Sequence, residues 1–255
     1  IVALQSSEAG AADGHQAQQL AASQQAHADK LTALPLYQRV HARVPTVVAL
    51  VELDRLVVAQ KHINLAYVEA IQDSLDESPS DDAVNDLCLP LAPQGQGVEA
   101  ARVAKDSVIF SSRSADLRVL DQKLLSIDAL SEPVTGHGAH LLAIAVGSSL
   151  NCLSAIHING RIVLTNGSHR AYALRASGVT HAPCVIHNMR KQDELELVAT
   201  DDVLAQLNDI VTASRPAMLK DYFDDELTIR FGVKRKQRQI KISYQIEVMD
   251  VPVAD

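Results

Sequence analysis

The sequence predicts an α/β fold, more narrowly α+β, in which a small twisted mixed sheet carries flanking helices. Three observations lead there. Two β-rich runs, Cys152–Ile158 and Arg161–Leu164, meet across Asn159-Gly160, the pair that a two-residue type I′ hairpin prefers. Ser168–Ser177 is helical in pattern and closes on Gly178, a residue suited to the left-handed conformation just past a helix. Ala182–Ile186 then reads as a strand following that helix. No internal repeat is visible.

The remaining elements follow in chain order. Ile1–Leu4 is too short, and lacks the basic flank, to be a signal peptide. Residues 5–30 are rich in Ala, Gln, Ser and His, with Leu20 the one large apolar residue between Leu4 and Leu31. Ala and Gln favour helix, so residues 1–44 are expected to form a helical arm with little to bury, docked on a protein partner or on the body. Val47–Leu50 is a β-branched strand run. Asn64 then caps an amphipathic helix whose Leu65, Val68, Ile71, Gln72 and Leu75 fall at helical spacing. Residues 77–106 contain the breakers "SPSDD" and "APQGQG" and read as irregular, with one short helix near Val98–Ala104. Val108–Phe110 and Leu117–Leu120 read as short strands, and Leu141–Val146 as a buried one. Residues 191–211 read as one or two helices. Leu227–Phe231 and Gln239–Val248 read as closing strands, with the basic cluster Lys234–Arg238 at the turn between them. The expected organisation is an arm over 1–44, a core over 45–190 with an insertion at about 77–140, and a helical and β extension over 191–255.

Composition removes several function classes. The 255 residues are 47% hydrophobic and 21% charged, which is globular rather than disordered composition. Lys and Arg number 23 against 31 Asp and Glu, a formal charge of −8. Duplex affinity comes mostly from neutralising phosphates with Lys and Arg, so sequence-specific DNA binding is not expected. With no Trp and 3% aromatics, a base-stacking platform for single strands is not expected either. The longest apolar runs, Leu141–Val146 and Val47–Val51, fall far short of the roughly 18–20 residues of a membrane helix. Cys88, Cys152 and Cys184 show no CxxC spacing and give no disulfide framework. That usage fits a reducing, cytoplasmic compartment.

The functional signal lies in "GRIVLTNGSHRAYALRASGVTHAPCVI", residues 160–186. A glycine loop that feeds a helix presents unpaired backbone N–H groups and the positive end of the helix dipole to an anion. Asn166, Gly167, Ser168, His169 and Arg170 are the expected binding residues. The loop supplies amides, Ser168 a hydroxyl, and Arg170 a planar cation suited to phosphate oxygens. His169 is positioned to donate a hydrogen bond or to exchange a proton near neutral pH.

The strand–"NGSHRAYAL"–helix–Gly–"APCVI" pattern resembles the ParB/sulfiredoxin superfamily signature. That signature is a Gly-x-His/Arg-Arg box followed by an Ala-rich helix and a strand beginning at Pro. The segment "VVALVELDRLVVAQKHINLAYVEAIQDSL", with Gln60 just ahead of a helix, is similar to the superfamily's first motif. Together the two pieces cover about 47–75 and 141–187, well under half of the chain. The resemblance implies a ParB-like N-terminal domain fold and a loop that holds nucleotide phosphates. It also implies ATP or CTP with Mg²⁺ as cofactor, and phosphoryl transfer or nucleotide hydrolysis as activity. Kinase-like members take a base from the first motif, where Glu52, Asp54 and Glu69 stand; with His169 these are the catalytic candidates. Ser168 occupies the place of the catalytic Cys of a sulfiredoxin, and a hydroxyl lacks the thiolate chemistry that activity needs. Cys184, on the following strand, does not substitute. No helix-turn-helix pattern follows Met189, so a chromosome-partition role is not expected.

The sequence therefore points to a protein that binds a nucleotide or a phosphorylated small molecule. The alternative is a non-catalytic scaffold or interaction module that keeps the fold. His137 and His140 have an HxxH spacing interrupted by Gly138 and are not read as a metal site. Lys234–Arg238 reads as a solvated hairpin tip, and Asp221, Asp224 and Asp225 as a charged helix end.

Overall fold

The protein is described by a computed structural model covering residues 7–93, 97–112, 117–126, 139–234 and 237–251. It divides into two compact units. The first joins Ile1–Pro93 to Leu150–Gly232, and the second joins Gln94–Ser149 to Val233–Asp255. The expected arm, and the first two thirds of the expected extension, thus belong to the same unit as the core.

The first unit is built on a five-stranded mixed sheet of order β1-β9-β7-β8-β2. Its strands are β1 (Thr46–Glu52), β2 (Val57–Val58), β7 (Ser154–Ile158), β8 (Arg161–Asn166) and β9 (His181–Asn188). β1 runs antiparallel to β9 and β7 antiparallel to β8, whereas β7–β9 and β2–β8 are parallel. The β7–β8 connection is the anticipated hairpin, with φ of 50° at Asn159 and 73° at Gly160. Side chains alternate across the pleat into two cores. Ile162 and Leu164 of β8 join Ala155, Ala182 and Cys184 in one cluster, while Val163 joins Val57 and Ile156 in the other. The first cluster is covered by α1 (Ala22–Thr32), α4 (Asp81–Cys88) and α5 (Ser168–Ala176), through Leu31, Val84 and Leu174. The second is covered by three short helices, α6 (Leu195–Val198), α7 (Asp201–Ala205) and α8 (Leu207–Thr212), through Leu195, Val203 and Ile210. Two further helices, α2 (Pro35–His41) and α3 (Leu65–Gln72), complete this unit. Helices therefore flank both faces of a mixed sheet.

The arm is docked on this body. Gly10 N–H donates to the Ser214 carbonyl at 2.8 Å, His15 N–H to Gly160 at 3.1 Å, and Gln18 bridges Leu50 of β1. Arg161, 5% exposed, bonds the Asp13 carboxylate at 2.6 Å and the carbonyls of Ile210 and Ala213 at the end of α8. The expectation of little burial is corrected: Ala12, His15, Gln24, Ala28 and Leu31 are all buried.

The second unit holds a three-stranded sheet of order β10-β4-β3 and a two-stranded pair, β5–β6. Its strands are β3 (Glu99–Ala104), β4 (Ser107–Ser112), β5 (Arg118–Ser126), β6 (His140–Gly147) and β10 (Arg238–Ser243). Residues Val98–Ala104, expected as helix, instead give β3. A turn at Lys105–Asp106 folds them back onto β4, whose ladder satisfies their backbone groups. Leu227–Phe231, expected as a strand, is irregular. Asp224 captures this stretch in a local turn, accepting from Glu226 N–H, Leu227 N–H and the Thr228 hydroxyl, and such local bonds compete with a ladder. The expected strand Gln239–Val248 pairs only to Ser243. Residues 191–211 break into a 3₁₀ turn followed by three short helices. His137, Gly138 and the middle of the Lys234–Arg238 cluster lie outside the described residues. Among the described residues no helix is long and apolar enough to cross a membrane.

Candidate functional site

β8 delivers the chain to Gly167, and α5 starts at Ser168. Gly167 has φ 96° and ψ 25°, the left-handed region that a side chain makes costly. A Cβ there would also meet Leu153 Cδ1 at 2.7 Å and Arg170 Nη2 at 3.0 Å. Glycine is thus required by conformation and by space. It gives α5 no side-chain cap, so the first-turn amides have no acceptor of their own within the helix.

Beside that helix start is a cavity of about 80 Å³ whose polar lining is Gln60, Thr165, Ser168, Thr200 and Asp202. Ser168 is only 8% exposed, and its hydroxyl has no hydrogen-bond partner among the described residues. The hydroxyl opens onto the cavity and stays accessible to solvent there. Gln60 Nε2 donates to the His62 carbonyl at 2.6 Å, which leaves its own amide oxygen for other donors. The Thr165 hydroxyl is spent on the Ser154 carbonyl at 2.9 Å.

The other predicted binding residues face inward. Asn166 Nδ2 donates to Asn151 Oδ1 and to the Cys152 carbonyl, both at 2.8 Å, and so fixes the strand end. Arg170 was expected to reach an anion directly. Instead its guanidinium turns under Gly167, 6% exposed, and bonds Leu87 O at 3.0 Å, Asn151 Oδ1 at 3.1 Å and the Asn151 carbonyl. All three acceptors are neutral oxygens. Among the described residues no carboxylate pairs with Arg170, so its full positive charge stays beneath the loop.

His169 Nε2 lies 3.0 Å from the Asn64 backbone N–H. An amide can only donate, so Nε2 accepts and the ring proton sits on Nδ1. The ring edge also meets Tyr67, with centroids 5.3 Å apart. Burial, then His62 and Arg170, push its pKa down to about 4. His169 is therefore neutral at pH 7. It is suited to donate through Nδ1 rather than to exchange protons in that range. The same contact joins the start of α3 to the start of α5, and Val68 and Ile71 pack on Ala173 further along. Two positive helix ends thus lie side by side.

The predicted carboxylates are not brought to this cavity. Glu52 faces Arg55 at 4.0 Å, Asp54 is paired with Arg175 at 2.9 Å, and Glu69 is exposed on α3. The carboxylate that does line the cavity is Asp202, which sequence reasoning passed over. Its only signal was a Thr-Asp-Asp run of helix-start type.

A larger cleft of about 450 Å³ lies elsewhere, lined in part by Glu8, Asp54, Arg175, Arg215 and Lys220. Each of its three cations is already held by a carboxylate. Arg215 holds Asp221 at 2.6 Å and Glu8 at 2.8 Å, and Lys220 holds Glu8 at 2.7 Å. The smaller cavity, with its unpartnered Ser168 hydroxyl beside the start of α5, has the stronger claim to a ligand. Searched against protein-family models, curated proteins and solved structures, the chain matches none of them.

Proposed function

We propose that the chain binds a phosphate-bearing ligand, a nucleotide such as ATP or CTP with Mg²⁺, through the loop and first turn at Gly167–His169. The observation that carries this reading is the pairing, in one cavity, of a helix start without a side-chain cap and the accessible Ser168 hydroxyl, which has no hydrogen-bond partner among the described residues. Arg170 supports it from below: its role is long-range attraction and bracing of the loop, not direct contact. The magnitude of the cavity also decides something. About 80 Å³ is two to three times the roughly 30 Å³ share of a water molecule. It is well under the ~300 Å³ at which pockets for whole small molecules begin. The cavity suits one phosphoryl group, with the rest of the ligand lying outside. The similarity to the ParB/sulfiredoxin signature points the same way.

Isothermal titration of the full chain with inorganic phosphate, ATP and CTP, each with Mg²⁺, tests the reading. Wild type is expected to bind at least one of them. Ser168→Ala is expected to weaken binding about tenfold, the value of one hydrogen bond to a charged group, with an unchanged melting temperature. Failure of all three ligands to bind would return the chain to the scaffold reading.

A further inference from the structure

We infer that the chain pairs with a second copy of itself along the open edge of β10, with residues 238–250 of the two copies running antiparallel about a two-fold axis at Tyr244.

β4 lies along one side of β10, and among the described residues no strand lies along the other. The alternation of the strand does not stop where its ladder does. Ile240, Ile242, Tyr244, Ile246 and Val248 take every second position, with Gln239, Lys241, Ser243, Gln245 and Glu247 between them. That is the period of a half-buried strand. Ile240 and Ile242 are half-buried, whereas Ile246 and Val248, past the last residue paired with β4, are 78% and 91% exposed.

Charge decides which partner fits. Arg238 and Lys241 stand six and three residues before Tyr244, and Glu247 and Asp250 three and six residues after it. Antiparallel pairing about Tyr244 therefore sets Lys241 against Glu247 of the second copy and Arg238 against Asp250. The same register sets Ile242 against Ile246 and Ile240 against Val248. Moving the axis to Ser243 would set Arg238 against Val248, and moving it to Gln245 would set Ile240 against Asp250. Opposite charges facing each other across a strand pair stabilise it, and like charges destabilise it. Charges on an edge strand ordinarily discourage strand addition; here a second copy in this register answers each one.

The backbone agrees with the register. Tyr244 N–H donates to the Asp106 carbonyl at 3.0 Å. Even-numbered residues thus point their backbone groups at β4, and Gln239, Lys241 and Ser243 point theirs at the open edge. An axis at Tyr244 pairs odd-numbered residues with odd-numbered ones, so these groups meet Met249, Glu247 and Gln245 of the second copy. Two three-stranded sheets become one of six, and the two-fold closes the assembly at a dimer.

Sedimentation equilibrium of the full chain tests this. Wild type is expected to be a dimer whose mass falls toward that of a monomer on dilution. Lys241→Glu and Glu247→Lys alter exposed side chains, and each sets like charges against each other twice per dimer. Either should raise the dissociation constant at least about tenfold with an unchanged circular dichroism spectrum. Mixed in equal amounts, the two variants regain both opposite pairs and should form a heterodimer of wild-type affinity. The double variant should dimerise alone. A wild type that is monomeric at every concentration overturns the inference. Species larger than a dimer also overturn it, since they mean a pairing that does not close. So does a dimer that the single variants leave intact, or whose loss neither mixing nor the double variant repairs.

Discussion

Ser80 at the start of α4 accepts the Ala83 N–H on its hydroxyl at 3.2 Å, and Asp81 and Asp82 follow in the first turn. Cap and carboxylates together neutralise the positive end of that helix. The start of α5 is arranged in the opposite sense. Gly167 provides no side-chain cap, no acidic residue stands in the first turn, and the Arg170 guanidinium lies underneath. Two helices on the same face of one sheet thus begin with opposite electrostatics. A helix start that serves only the fold is finished internally, as α4 is. One that leaves its amides open and adds a buried cation carries a standing cost that a bound anion would relieve.

The strongest way to break this comparison is to remove the cation. Arg170→Met leaves the Leu87 and Asn151 oxygens without donors, so a loss of about 3–4 kcal/mol is expected. The melting temperature should fall by roughly 10 °C, as read by thermal denaturation. A melting temperature within a degree or two of wild type would show that Arg170 does not brace the loop. Gly167→Ala comes next. It combines a left-handed φ with a Cβ 2.7 Å from Leu153 Cδ1, and about 2 kcal/mol of destabilisation is expected in urea unfolding.

Acid sharpens the contrast, because α5 carries a histidine in its first turn and α4 does not. His169 is held at about 4, below its ordinary 6.5. As pH falls below 6.5 the unfolded chain takes up this proton before the folded one does. Stability is therefore full above about pH 6.5 and drains as pH drops toward 4. Between pH 7 and pH 5 a loss on the order of 1–2 kcal/mol is expected from this group. His169→Gln, whose amide oxygen can still accept the Asn64 N–H, should flatten that slope in paired denaturation curves. His15, buried and also held at about 4 by burial first and Arg55 second, should continue to contribute in the same direction. The smallest effect is expected at α4. Ser80→Ala should cost about 1 kcal/mol and leave phosphate affinity untouched, and a change in affinity there would mean that the two helix starts are not independent.

Local chemistry made the hairpin at Asn159-Gly160 and the helix from Ser168 legible, since each is set by a few adjacent residues. Helix α4 carried equally local signals, Ser80 before two aspartates with Val84, Leu87 and Cys88 at helical spacing. The breakers around it, "SPSDD" and "APQGQG", drew the reading toward irregular structure. Other features depended on distant partners. Arg170 turns inward because carbonyls at Leu87 and Asn151 come to it from other parts of the chain. Asp202 reaches the cavity only because the helices after β9 cover the face of the sheet that holds Val163. Neither position could be read from neighbours in sequence.

The first unit is assembled from two stretches of chain separated by the second, and this has a consequence for the order of events during synthesis. β1 pairs with β9, so Thr46 waits for His187, roughly 140 residues later. At about 5–20 residues per second, an unpaired apolar strand is held open for roughly 7–30 s on a growing chain. The docked arm waits longer still, since Gly10 bonds Ser214. The intervening segment leaves the ribosome during that interval. On a nascent chain β1 thus has the single bridge to Gln18 as its native pairing, and a holding chaperone should engage the stretch from Val47 to Val51 until β9 emerges.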